Sequence, residues 1–257
     1  MSILHSKIVG SGDKHLLVFH GLFGQLDNWN TLGKGFGEYF TTHLIDLRNH
    51  GRSFHDNDSS IEAMTEDIIH YMDANAIEKA HLLGHSLGGR VVINFAMLHQ
   101  DRLDHLIVAD MAPKAYQPHH NAIFKALNSV DFDKVESRKD VESILSEYIP
   151  EIGVRQFLLK NVYHAENGKY AFRFNLPILY QFYDKMIGHD LLKGEFDGPT
   201  LFLGGANSDY ILPEDEMIIK ERFPNAEIKK IANAGHWIHA ENPKDFMNEI
   251  LDFLLNK

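Results

Sequence analysis

Ala80-His81-Leu82-Leu83-Gly84-His85-Ser86-Leu87-Gly88-Gly89 carries the fold in ten residues. Ala80–Leu83 is a short apolar run that reads as a buried strand, and Gly89–Leu98 has helical spacing. Between them a serine stands with a glycine two residues to either side. A sharp strand-to-helix turn lifts such a serine hydroxyl clear of the sheet. The glycines leave room for that turn, where a Cβ would meet neighbouring backbone. The helix then points its N-terminal N–H groups at the place where negative charge would develop.

Further strand-like runs lie on both sides: Leu16–His20, His43–Leu47, His105–Asp110, Thr200–Leu203 and the weaker Glu227–Ile231. Helical patterns alternate with them. Ile61, Met64, Ile68 and Met72 form one apolar face, and Phe246, Ile250 and Phe253 form another over Lys244–Leu255. This alternation predicts an α/β fold with a mostly parallel sheet covered by helices on both faces. Functional loops should then gather at the carboxyl ends of the strands.

The alternation stops between Ala112 and about Gly194. Four helices are expected there: His119–Val130, Lys134–Tyr148, Glu151–Asn161 and Pro177–Ile187. The organisation is therefore a core of residues 1–111 and 195–257 with a helical cap, 112–194, inserted between two late strands. Within the cap, Tyr170, Phe172 and Phe174 recur at period two, with Tyr180, Phe182 and Tyr183 close behind. They read either as an aromatic lining for an acyl chain or as cap packing.

The composition sets limits. The chain has 257 residues and a formal net charge of -11, which argues against nucleic acid and against a polybasic membrane anchor. It has no cysteine, so disulfides, thiolate catalysis and Cys-type zinc sites are excluded. The first residues are too few and too polar to read as a signal peptide, and no apolar run reaches the ~20 residues that span a bilayer. The expected location is the cytoplasm, with no membrane partner.

A serine needs a base. Among 17 histidines, His236 stands out, because Asn233-Ala234-Gly235-His236-Trp237 follows the last expected strand. His239 makes a His-x-x-His pair with it, but neither a following Glu nor a third ligand is evident, so no metal is expected. Two acids compete to orient the base: Asp110, which ends a strand, and Asp209, in the loop after Thr200–Leu203. Both fit the chain order, and both have turn or cap alternatives. The oxyanion donors should be the backbone N–H groups of Leu87 and of Leu22, the latter in His20-Gly21-Leu22-Phe23-Gly24. Asp46-Leu47-Arg48-Asn49-His50-Gly51-Arg52-Ser53 reads as a brace for loops near the site.

These residues resemble the α/β-hydrolase superfamily over essentially the whole chain, and more narrowly the YbfF-type esterases. The matching stretches are Val18-Phe19-His20-Gly21-Leu22-Phe23-Gly24, Leu47-Arg48-Asn49-His50-Gly51, Gly84-His85-Ser86-Leu87-Gly88-Gly89 and, more specific than these, Ala109-Asp110-Met111-Ala112-Pro113, Gln156-Phe157-Leu158-Leu159-Lys160 and Gly235-His236-Trp237-Ile238-His239-Ala240. The resemblance implies an α/β-hydrolase fold and a cytosolic, cofactor-free serine esterase. Its partner would be a small acyl ester or thioester. Family members carry the aspartate matching Asp110 and often lack an acid in the loop matching 207–211; this chain has both. Phe23, Phe172, Phe174 and Trp237 are the substrate-contact candidates. Two other readings keep the same fold. One is a lyase of the menaquinone-synthesis type, for which Arg138, Arg155 and Arg173 could hold an anionic substrate. The other is a non-enzymatic small-molecule receptor.

Overall fold

The computed structural model describes residues 2–256. Seven strands make the main sheet: β1 (Ser6–Val9), β2 (His15–Phe19), β3 (Thr41–Ile45), β4 (Ala80–His85), β5 (Leu103–Ala109), and two later ones, Thr200–Gly205 and Ala226–Ile231. A hairpin, β6 (Val162–His164) and β7 (Tyr170–Phe172), separates the two groups, so the later strands are β8 and β9. The order across the sheet is β1-β3-β2-β4-β5-β8-β9. Only β1 runs antiparallel. The five inner strands are therefore parallel, and their carboxyl ends share one edge.

Helices cover both faces. On one face α1 (Asn30–Phe36) packs with the last helix; on the other lie α2 (Ile61–Ala74) and α3 (Leu87–Leu98). The expected stripe of α2 is buried, and Ser60 caps its start by accepting the N–H of Ala63. Between β5 and β8 the chain builds α4 (Asn121–Asn128), α5 (Arg138–Ser146), α6 (Ile152–Leu159) and α7 (Leu176–Gly188). Then follow α8 (Asp215–Arg222), α9 (Ile238–Glu241) and α10 (Pro243–Leu255), whose Phe246, Ile250 and Phe253 are buried.

The α/β architecture is as expected from the alternation of strands and helices. Several elements went unseen in the sequence. β1 is a half-exposed edge strand, without the apolar run that marks a buried one. The period-two pattern in the cap does form a strand, β7, but its partner β6 carries no comparable signal. Glycines 33 and 35 dilute the helical pattern of α1, and α8 and α9 are short.

The inserted segment is tied to the core at both ends. Arg90, buried in α3, donates to Lys114 O at 2.6 Å and also to His189 O. Further along, Asn161 Nδ2 donates to Phe23 O (2.7 Å), and Asn175 N–H donates to Asn49 O (2.9 Å). Arg90 and Asn161 are buried, so these bonds partner donors that would otherwise be stranded.

Burial also holds several imidazoles neutral. It pushes His20, His43 and His81 down to about 4 and His50 to about 3. An unfolded chain would protonate these rings near 6.5. Between pH 6.5 and about 4 the unfolded state therefore binds more protons, and acidification favours it. Stability is complete above pH 6.5 and falls through this window, by up to about 1.4 kcal/mol per pH unit for each ring. Asp46 and Asp67, raised by burial, oppose the trend towards its acidic end. Urea denaturation from pH 7 to pH 4.5 should show a steady loss of unfolding free energy. A flat profile would mean that these rings are not held neutral.

Candidate active site

Ser86 occupies the turn from β4 into α3 with φ 53° and ψ −115°. A non-glycine residue there is strained by roughly 1–3 kcal/mol, and close packing holds it in place. A Cβ on Gly84 would fall 2.2 Å from Gly88 O, and one on Gly88 would fall 2.7 Å from both Phe19 O and His20 O. Ser86 stands at the N-cap position, yet its hydroxyl caps no helix N–H. It meets His236 Nε2 instead, at 3.0 Å.

The other face of the imidazole meets an acid. His236 Nδ1 lies 2.8 Å from Asp110 Oδ2. Asp110 is fully buried and has positive φ (51°) at the end of β5. Its Oδ1 accepts the N–H of Gly205 (2.9 Å), and Oδ2 also accepts the hydroxyl of Ser208 (2.5 Å). A carboxylate that only accepts requires the imidazole proton on Nδ1. Nε2 is then the acceptor for the serine hydroxyl. Of the two competing acids, the structure brings Asp110 to His236 and leaves Asp209 exposed, without a part in this line. Asp209 follows the expected strand, but the loop turns its neighbour Ser208 inward instead.

His236 is fixed by its surroundings. His85 Nε2 donates to His236 O at 2.8 Å, and burial holds the His85 ring well below its ordinary value. The Tyr210 ring lies flat against the imidazole, with centroids 3.8 Å apart. Trp29 stacks on His239 at 4.4 Å.

The loop after β2 is braced from behind. His20 Nδ1 donates to Gly21 O (2.8 Å), while its Nε2 accepts the N–H of Leu47 (3.1 Å). Asp46 accepts the N–H groups of Leu26 and Arg52. These contacts match the bracing role read for the 46–53 stretch. Leu22 sits in this loop beside Phe23, which has φ 59°. Leu87 opens α3, so its N–H has no acceptor inside the helix. Among the described residues, no protein acceptor takes the N–H of Leu22 or of Leu87.

A narrow cleft, open to solvent at its mouth, contains Ser86 and His236. Leu22, Phe23 and Trp237 line it. Phe172 and Phe174 do not, contrary to the expectation that they contact substrate. They stack on each other at 4.8 Å, and Phe174 packs behind Phe23 at 5.1 Å, facing a different depression. The period-two pattern was the signature of a packed hairpin. The inserted segment instead lends the cleft His120, Ile123, Val154, Phe157 and Leu158. Phe157 and Leu158 lie in the Gln156–Lys160 stretch noted above. His120 and Tyr210 had no sequence signal. Nor does the cleft include Arg138, Arg155 or Arg173. Arg138 donates to Val162 O, Arg155 pairs with Glu142 at 3.0 Å, and Arg173 covers the Tyr163 ring.

A family model described as "alpha/beta hydrolase fold" matches residues 14–134. The chain is 36% identical to "Esterase YbfF" of Escherichia coli (strain K12) over 240 residues, 93% of this chain and 92% of that protein. It is also 36% identical to "sn-1-specific diacylglycerol lipase ABHD11" of Mus musculus over 263 residues, 99% of this chain and 85% of that one. A solved structure titled "Marine microorganism esterase" superposes with a TM-score of 0.95 at 38% identity, covering 99% of this chain and 100% of that one. With a parallel sheet, a strained serine between β4 and α3, and full-length relatives above 30% identity, the chain belongs to the α/β-hydrolase family, among the YbfF-type esterases.

Proposed function

We propose that the chain is a serine esterase acting on carboxylic acyl esters through Ser86, His236 and Asp110. The observation that carries this reading is the continuous line from Asp110 Oδ2 through both nitrogens of His236 to Ser86 Oγ, at the floor of a cleft. Ser86 gives its proton to His236 Nε2 as Oγ attacks the acyl carbonyl carbon. The carbonyl oxygen becomes an oxyanion, held by the N–H groups of Leu22 and Leu87. Asp110 stabilises the imidazolium and keeps its orientation. His236 then protonates the leaving oxygen as that bond breaks, leaving an acyl-serine. Water, deprotonated by His236, releases the acid and restores the hydroxyl. The 112–194 segment acts as the cap that supplies about half of the apolar wall, opposite Leu22, Phe23, Trp29 and Trp237. The relatives' printed activities, esterase and diacylglycerol lipase, agree with ester chemistry.

A neutral acyl substrate fits better than the anionic one of the lyase reading, because no Lys or Arg is among the residues lining the cleft. Acyl-CoA thioesters follow the same steps with a thiol leaving group. A hydrophobic wall discriminates by only ~1–3 kcal/mol per methylene, so several acyl lengths should be accepted.

Initial rates on p-nitrophenyl esters from acetate to palmitate, and on matching acyl-CoA thioesters, test the reading. Ser86→Ala should lower kcat by roughly 10⁴-fold or more. Turnover that survives the substitution would sink the proposal. Asp110→Asn should cost several orders of magnitude, while Asp209→Asn, an exposed change, should stay within about twofold. The reverse ranking would reassign the acid. Ser208→Ala removes one charge-assisted bond from Asp110 and should lower kcat roughly tenfold with little change in KM. An unchanged kcat would mean that Gly205 N–H and His236 suffice to hold the carboxylate.

A further inference from the structure

One polar side chain of the cap faces the cleft with an unused nitrogen. His120, the residue before α4, lines the same cleft as Ser86 and His236. The rest of the cap's contribution, Ile123, Val154, Phe157 and Leu158, is apolar. A single donor or acceptor in such a wall orients a ligand more than it adds affinity.

The tautomer of His120 follows from its neighbours. Tyr183 Oη accepts the backbone N–H groups of His119 and His120, both at 3.1 Å. With those lone pairs engaged, the phenolic proton is directed to His120 Nδ1, 2.5 Å away. Nδ1 therefore accepts, and the neutral ring carries its proton on Nε2. Among the described residues, Nε2 has no protein acceptor. Burial, with His119 and His236 nearby, pushes this ring down to about 3. It is a fixed N–H donor across the neutral range and not a proton carrier.

Its place in the cleft is also defined. The His119 and His120 rings are 4.2 Å apart, and His119 Nε2 meets Tyr210 Oη at 2.7 Å. Tyr210 in turn lies flat on the His236 ring. The turn bearing His120 thus sits on the His236 side of the cleft, from which a leaving oxygen would collect its proton.

We propose that His120 Nε2–H is a specificity-determining donor for an acceptor oxygen on the alcohol portion of the substrate. Esters whose alcohol carries an ether or carbonyl oxygen are then favoured over alkyl esters of the same size. The inference rests on Ser86 being the nucleophile.

The test is kcat/KM for a matched pair, 2-methoxyethyl butyrate and butyl butyrate, which exchange one oxygen for one methylene. Intrinsic reactivity cancels when the ether-to-alkyl ratio is compared between wild type and variant. In His120→Phe the ratio should fall roughly 3- to 10-fold, the worth of one neutral hydrogen bond. His120→Gln, which retains an N–H donor, should recover part of it. Tyr183→Phe leaves His120 in place but frees its tautomer, and should lower the ratio by a smaller factor. If His120→Phe fails to fold, the Gln and Tyr183→Phe variants carry the comparison. A ratio that stays put while both rates change together would overturn the proposal. Butyrate hydrolysis equal in wild type and Ser86→Ala would overturn the esterase reading itself, and this inference with it.

Discussion

Asp110 is a carboxylate without access to solvent, and the architecture of the site can be traced to how that charge is accommodated. A buried anion is tolerated only where donors surround it. Three are supplied, from the end of β8, from the loop after it and from the loop after β9. Because these donors follow β8 and β9 while Asp110 itself ends β5, the carboxylate fixes the distances among three loops. Donation from His236 Nδ1 also decides which nitrogen is left for Ser86. One desolvated charge therefore sets both the position and the tautomer of the imidazole.

A second constraint works on the opposite side of Ser86. The β2 loop must hold a strained backbone open, and neutral groups do this. His20 bridges Gly21 O and Leu47 N–H, donating with one nitrogen and accepting with the other. An imidazolium could only donate, so burial that keeps His20 neutral also keeps the bridge intact. The cap is then fastened to this loop, with Asn161 reaching Phe23 O and Gln25 Nε2 reaching Lys160 O at 3.2 Å. The cleft wall and the loop after β2 are thus mechanically one unit.

Among the described residues, no helix is long and apolar enough to cross a membrane. Beyond the line from Asp110 to Ser86, the wall that the inserted segment gives to the cleft is apolar but for one side chain. His120 contributes one donor from the cap, and Tyr210 covers the imidazole from the β8 loop.

Much of this was legible in the chain before folding. The elbow around Ser86, the alternating strands and helices, and the Gly235-His236-Trp237 stretch are local patterns, because backbone crowding and amphipathic period act over a few residues. They determined the fold class and singled out Ser86 and His236, which the structure brings together. The acid was different. Asp110 and Asp209 each follow a β-strand and each come before His236, so chain order could not separate them. Only the packing of β5 against β8, which brings Asp110 under Gly205 N–H and turns Ser208 inward, placed Asp110 and not Asp209 against His236. The same holds for the aromatic residues of the cap. Period two announced a strand at Phe172, but whether that strand meets the cleft at all depends on how the hairpin docks, and it does not. Local sequence determined what each segment becomes; contacts between segments far apart in the chain decided which side chains meet, because those contacts depend on burying surface that no short stretch contains by itself.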